Sequence, residues 1–357
     1  MNPFKFGTIV EGRFFTDRKE KLAEIEAVMS SANHLVIISP RRYGKSSLVK
    51  KAMSEMKRPS ISINLQSVTS VEDLSRKILS GIFRIKPIER LKRELSAFRF
   101  VPTVSFDPLS ERVDVSFVPT ADSSVVLEDS LLLLDKVSGA NKRVIVVFDE
   151  FQDVLEIERN LDKKLRSVFQ DMQNVNLVFL GSQESMMTEI FERKKSPFYH
   201  FGEVVHLPKL PYDEFREYLS SGLKEVSPAR SGFWAERILD FTGCHPYYGQ
   251  QLAFHLWEYL GNHEESEESF NIVVKHIVES RDLDFTRLWD TLPRTDRYVM
   301  QSLARGINPQ KERTLAPSTV SSSYKRLCQK GFLVRQTSGY EIEDPFFRLW
   351  ILSMQVI

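Results

Sequence analysis

The stretch HLVIISPRRYGKSSL, from His34 to Leu48, constrains the fold of this 357-residue chain more than any other. Leu35 to Ile38 form a short apolar strand closed by Ser39, a tight basic loop follows, and Gly44-Lys45-Ser46-Ser47 opens a helix. Strand, loop, Gly-Lys-Ser and helix, in that order, is the setting in which a phosphate-binding loop works. The first N–H groups of a helix have no intrahelical partner, and the helix dipole adds positive potential at the same end. A phosphate group satisfies both. Lys45 is then placed to reach the β/γ oxygens of a triphosphate, and the Ser46 hydroxyl to ligate Mg2+. The candidate cradle is Ser39, Pro40, Arg41, Arg42, Tyr43, Gly44, Lys45, Ser46 and Ser47. In the spacing G-x-x-x-x-G-K-[ST] the first glycine is replaced by Ser39. Pro40 follows it, and the residue before a proline is pushed to extended backbone that serine tolerates.

A second element fits the same chemistry. The run V144-I-V-V-F-D149-E150 is a hydrophobic strand that ends in two carboxylates. In a parallel sheet those groups fall at the carboxyl edge, where the phosphate loop also opens. Asp149 is the expected Mg2+ ligand, direct or through water, and Glu150 the group that polarises an attacking water. A third strand, L177-V-F-L-G-S-Q183, ends in polar residues. Ser182 or Gln183 is placed to sense the γ-phosphate, or else Ser182 caps the following helix.

Alternating strands and helices across residues 30 to 207 imply an α/β fold with a parallel sheet covered on both faces. Helices are expected over Asp17–Ser30, Lys45–Lys57, Val71–Ile85, Val126–Val137, Asn160–Gln173 and Ser185–Arg193. Phe98 to Pro119 breaks this pattern, alternating apolar and polar residues about a turn at Asp107-Pro108-Leu109-Ser110, and reads as an inserted β-hairpin. After Leu207-Pro208 the strands stop. Four helical segments follow, over Tyr212–Leu223, Gly232–Phe241, Tyr247–Leu260 and Phe270–Glu279. Two more helices, Arg294–Ala304 and Ser318–Lys330, precede the alternating hairpin FLVRQTSGYEI, which is the pattern of a winged helix. The expected organisation is an α/β phosphate-loop core over 1–209, with the insertion near 98–119, then a helical region over 210–283 and a winged-helix domain over 284–357.

Composition excludes several alternatives. Lys+Arg 49 against Asp+Glu 48 leaves no global basic field for nucleic acid or membrane. Cys244 and Cys328 lie far apart without ligand spacing, against a disulfide framework or a zinc site. No run approaches the ~18 apolar residues of a membrane helix, and the amino terminus lacks the shape of a signal peptide. A cytoplasmic protein without membrane contact is the expectation.

The motifs together resemble the archaeal-type ATPase family, a branch of the AAA+/STAND P-loop ATPases, over nearly the whole chain. Its phosphate loop, G-P-R-R-x-G-K-T-S-L, is matched by Ser39-Pro40-Arg41-Arg42-Tyr43-Gly44-Lys45-Ser46-Ser47-Leu48. Its acidic pair with a following aromatic and glutamine is matched by Asp149-Glu150-Phe151-Gln152. Its lid element is matched by Gly243-Cys244-His245-Pro246-Tyr247-Tyr248, and its carboxyl-terminal element by Tyr340 to Phe346 with Trp350. An amino-terminal F-x-x-R-x-x-E box is matched by Phe15, Arg18 and, less exactly, Lys19-Glu20. The resemblance implies a RecA-like αβα core, ATP as ligand, and a lid turn at His245-Pro246 against the bound nucleotide. Two positions depart from the family: Ser39, and a segment before the last strand, Ser196 to Phe201, that lacks the family's arginine. Arg193, Lys194 and Lys195 lie just upstream and read more simply as a solvated cluster at a helix end.

These residues imply an ATP- and Mg2+-dependent ATPase acting as a nucleotide-driven switch, with Lys45, Glu150 and Ser182 as catalytic candidates and Ser46 and Asp149 as metal ligands. The expected partner is another protein or a second copy of the chain. DNA is a less favoured partner, reached through Lys325, Arg326, Lys330 and Arg335 of the winged helix. Two alternatives stand beside this reading. One is a DNA-binding initiator-like ATPase. The other is a scaffold that binds nucleotide without hydrolysing it.

Overall fold

The computed structural model describes every residue except 11, 16–17, 97, 100–102, 108–111, 117–121, 140–142, 313, 337–338 and 355–357. The chain divides into two compact units. One comprises Lys19–Ser39 and Lys45–Leu207; the other Met1–Arg18, Pro40–Gly44 and Pro208–Ile357.

The first unit holds β1 (Leu35–Ile38), β2 (Ser60–Asn64), the pair β3 (Thr103–Asp107) and β4 (Arg112–Ser116), then β5 (Val144–Asp149), β6 (Val175–Gly181) and β7 (Glu203–His206). Five of these strands form one sheet in the order β2-β5-β6-β1-β7, and every pairing in it is parallel. Every residue of β1 and β6 is buried, which is why both read as unbroken apolar runs. Ile38 lies opposite Gly181, and Asn64 opposite Asp149, so the strands that carry the polar motifs end at one edge. Helices Lys19–Ser30, Lys45–Met56, Val71–Ile85, Ser123–Val137, Leu161–Phe169 and Glu184–Phe191 complete the α/β layers. The Val71–Ile85 helix starts where the Ser70 side chain accepts from the Asp73 N–H, with Glu72 and Asp73 in its positive first turn. Phe148, Phe151, Phe169, Phe179, Phe191 and Phe198 are fully buried and form a cluster of packed rings in the core, Phe151 and Phe179 lying edge to face at 4.6 Å. The inserted hairpin is present as a separate antiparallel pair, and Val115 anchors it in the same core. Its expected turn, at 108–110, lies outside the described residues.

The second unit is helical. It contains Tyr212–Leu223, Ser231–Thr242, Pro246–Asn262, Ser269–Ser280, Asp282–Asp290, Arg294–Ala304 and Pro317–Gln329. The wing follows as β8 (Leu333–Gln336) and β9 (Gly339–Ile342), and the helix Pro345–Ser353 closes it. The sequence pattern did not indicate the Asp282–Asp290 helix. Its buried residues Phe285 and Trp289 pack on Phe347 and Trp350, with Phe285 and Phe347 at 5.1 Å, and Trp350 Nε1 donates to Asp282 Oδ1 at 2.7 Å. The expected lid and winged helix thus share one apolar core, and residue 283 lies inside a helix of that core. Asp344 explains the Asp-Pro-Phe-Phe segment: it caps the last helix by accepting from Phe346 N–H at 2.9 Å and Phe347 N–H at 3.2 Å, and it pairs with Arg281 at 2.9 Å. Among the described residues no helix is long and apolar enough to cross a membrane.

Candidate functional site

In the sheet unit, β1 delivers the chain to Ser39, whose N–H donates to the Gly181 carbonyl at 3.4 Å. Ser39 is not among the residues with positive φ; the left-handed positions of the loop are Arg42 at φ 66 and Gly44 at φ 88. The first motif position therefore makes no demand that only glycine meets, whereas position 44 does. Lys45 opens the following helix with a side chain only 6% exposed. A charge so deeply buried needs partners, and its Nζ donates to the Ser39 carbonyl at 3.0 Å.

β5 brings the acidic pair to the same place. Ser46 Oγ donates to Asp149 Oδ2 at 3.0 Å, and Glu150 N–H donates to Asp149 Oδ1 at 3.0 Å. Burial pushes the Asp149 carboxyl above its usual range; Ser46 and Lys45 oppose the shift and Glu150 adds to it. Glu150 goes the other way. Burial again raises it, but donors at Ser182 and Gln152, with the Lys45 charge, outweigh burial and hold it below its usual range, so it is ionised at neutral pH. Ser182 gives Glu150 Oε2 two bonds, from Oγ at 2.7 Å and from N–H at 3.1 Å. Gln152 Nε2 adds a third at 2.8 Å. Glu150 itself sits in left-handed backbone at φ 53, ψ 51, a strained conformation of the kind that gathers at functional sites. The cap residue of the next helix is Gln183, so Ser182 is left to hold Glu150. Ser46 and Asp149 offer two hard oxygen donors side by side. Among the described residues no group of three or more His, Cys, Asp or Glu could hold a metal ion. Two protein oxygens suit Mg2+, which keeps waters and substrate phosphates as its other ligands.

The tip of the phosphate loop, Pro40–Gly44, is organised by the helical unit. Arg18, buried at its side chain, donates to the Tyr43 carbonyl at 2.9 Å and to the Pro208 carbonyl at 2.8 Å. Burial lowers its pKa to about 10, a cost partly offset by the nearby Glu214. The Arg42 guanidinium lies 4.4 Å from the centre of the Tyr247 ring and donates to Tyr248 Oη at 3.4 Å. His245 is 1% exposed and caps the helix that Pro246 begins. Its Nδ1 accepts from Tyr247 N–H at 3.2 Å and Tyr248 N–H at 3.4 Å, which places the proton on Nε2, facing Glu343 Oε1 at 3.3 Å. Both ring nitrogens are thereby engaged, and the ring meets Tyr43 edge to face at 5.0 Å. Of the two expected lid residues, His245 meets the loop tip at Tyr43, and Pro246 opens the helix that His245 caps.

Sequence reasoning gave no role to Gln152 beyond a motif match, and none to the partner of Arg326. Arg326 is paired with fully buried Asp296, Nη2 to Oδ1 at 2.6 Å and Nε to Oδ2 at 3.3 Å, whereas Lys325, Lys330 and Arg335 are exposed. Arg193 pairs with Glu189 at the exposed end of its helix, in line with a solvated cluster.

Residues 15–252 match the family model described as an ATPase domain predominantly from Archaea, and residues 284–353 match one described as a "probable winged helix domain". No curated protein matches the chain. Among solved structures, the Walker-type ATPase PABY2304 of Pyrococcus abyssi is similar over 95% of this chain and 96% of its own, with a TM-score of 0.66 at 18% identity. The ORC2 protein of Aeropyrum pernix, solved as ADPNP and ADP complexes, covers 96% of this chain and 95% of its own, with a TM-score of 0.55 at 14% identity. At such identities these likenesses bear on the fold alone; the family rests on the match across residues 15–252, on a parallel sheet whose carboxyl edge gathers Lys45, Ser46, Asp149 and Glu150. The chain belongs to the family of ATPase domains found predominantly in Archaea, continued here by a winged-helix domain.

Proposed function

We propose that the chain binds ATP with Mg2+ at residues 39–47 and hydrolyses it, working as a nucleotide-driven switch of the AAA+/STAND type. The observation that carries this reading is the contact of Ser46 Oγ with Asp149 Oδ2, beside a Glu150 carboxylate held ionised by Ser182. Lys45 exchanges its bond to the Ser39 carbonyl for the β/γ-phosphate oxygens, a stronger charge-assisted contact. Backbone N–H groups of Gly44 to Ser47 take the remaining phosphate charge. Ser46 and Asp149 hold Mg2+, which supplies charge neutralisation across the phosphates. Glu150, with Oε2 tied to Ser182, orients the attacking water and accepts its proton through the other oxygen. His245 meets Tyr43 edge to face, and this contact is the one by which the loop tip would act on the helical unit.

The winged helix is read as a protein-contact and regulatory module. Its apolar residues Phe346, Phe347 and Trp350 are committed to packing, and Arg326 is committed to Asp296. Of the four candidate bases that leaves Lys325, Lys330 and Arg335 exposed, in a chain of net charge +1. Titrating a fluorescent ATP analogue with and without Mg2+ tests the site. Lys45→Ala should weaken binding at least a hundredfold, and Asp149→Asn should remove the Mg2+ dependence. Undiminished binding in Lys45→Ala would place the nucleotide elsewhere.

A further inference from the structure

Gln152 is 1% exposed, in the 3-10 turn directly after the acidic pair. Its amide is oriented by two carboxylates: Nε2 donates to Glu150 Oε2 at 2.8 Å and to Asp153 Oδ1 at 3.1 Å. Turning the amide over would set its carbonyl oxygen against both acids. In the orientation adopted, Oε1 is buried with no hydrogen-bond partner among the described residues. An unpaired buried oxygen is a standing cost that Met or Leu would not carry. The fold also makes room for this side chain. A Cβ at Gly181, the last residue of β6, would stand 2.8 Å from Gln152 Oε1 and 2.3 Å from the Met187 side chain.

We propose that Gln152 is a positioning residue for hydrolysis, fixing Glu150 through Oε2 so that Oε1 is presented to the attacking water. This rests on the reading of Glu150 as the water-activating base. Ser182 supplies both its bonds from one side of the chain, at the end of β6; Gln152 supplies the third from the turn that follows β5. Together they remove the rotational freedom of a carboxylate whose backbone is already fixed in a left-handed conformation. Small displacements of a reacting group are costly in rate while leaving substrate binding unchanged.

The test uses the full chain, with ATP saturating, measuring the single-turnover rate and the dissociation constant of a fluorescent ATP analogue. Gln152→Met and Gln152→Leu each remove the donor. The expected result is a rate lower by about tenfold or more with affinity within about twofold of wild type. On a Glu150→Gln background, Gln152→Met should change the rate no further, because the amide acts through Glu150. The proposal is overturned if the rate is unchanged, if rate and affinity fall together, if the effect persists undiminished on the Glu150→Gln background, or if neither variant folds. Turnover at the wild-type rate in Glu150→Gln alone would remove the base assignment itself, whatever Gln152 does.

Discussion

Arg326→Ala should act on stability rather than on nucleic-acid binding. Asp296 is 0% exposed in the first turn of the Arg294–Ala304 helix, and Arg326 meets it with two bonds from the Pro317–Gln329 helix. Removing one partner of a fully buried pair costs about 3–5 kcal/mol, because the other charge is left without compensation. Here the Arg326 side chain is 43% exposed, so water replaces part of what is lost. A cost of about 2 kcal/mol is the expected magnitude, whereas Lys325→Ala, on the solvent face, should fall within about 0.5 kcal/mol. Urea unfolding followed by tryptophan fluorescence reads this, since Trp289 and Trp350 belong to the same core. The double variant Asp296→Ala/Arg326→Ala should recover part of the loss, because no charge is then stranded. A change below about 0.5 kcal/mol for Arg326→Ala would refute the pairing argument. Nanomolar duplex binding at moderate salt, lost in Lys325→Ala with stability intact, would refute the protein-contact reading of the winged helix.

Arg18→Met should cost about 2 kcal/mol and weaken ATP binding roughly tenfold, because the Tyr43 and Pro208 carbonyls lose their buried donor; urea unfolding and nucleotide titration check the two effects. Acid should destabilise both units through two histidines: half-buried His34, held near a pKa of about 4 by desolvation and the Arg166 and Arg143 charges, and buried His245, held near about 3 by burial. Above pH ~6.5 both are neutral folded and unfolded; below it only the unfolded chain takes the proton, so stability is full above ~6.5 and falls by about 2 kcal/mol per histidine by pH 5. His245→Asn keeps a capping side chain and removes the titration, so its stability between pH 7 and 5 should decline less than that of the wild type.

The β1 strand, its glycine-lysine-serine loop and the β5 strand were legible in the sequence because each joins a period to a chemical signature a few residues long. The hairpin at β3 and β4 was legible from alternation alone. What escaped depends on partners far apart in the chain. The Asp282–Asp290 helix, DLDFTRLWD, is short and charged, and only Phe285 and Trp289 meet the core. Arg326 looked like a surface base because Asp296, thirty residues away, leaves no local trace. The Gln152 amide lies where a Cβ at Gly181 would crowd it, and both His245 nitrogens are committed by the helix start and by Glu343. Serine at position 39 was read as a permitted variant of the first glycine, and its backbone is not left-handed.

The central claim is that Glu150, held by Ser182 and Gln152 beside the Ser46–Asp149 pair, activates the water that cleaves ATP. Loading Glu150→Gln with radiolabelled ATP and Mg2+, then following the bound nucleotide over time, tests it directly. The account predicts binding at wild-type affinity and bound ATP that persists, with hydrolysis slowed by about 10²–10⁴-fold, the range expected for loss of a general base. Conversion of the bound ATP to ADP at the wild-type rate would contradict it.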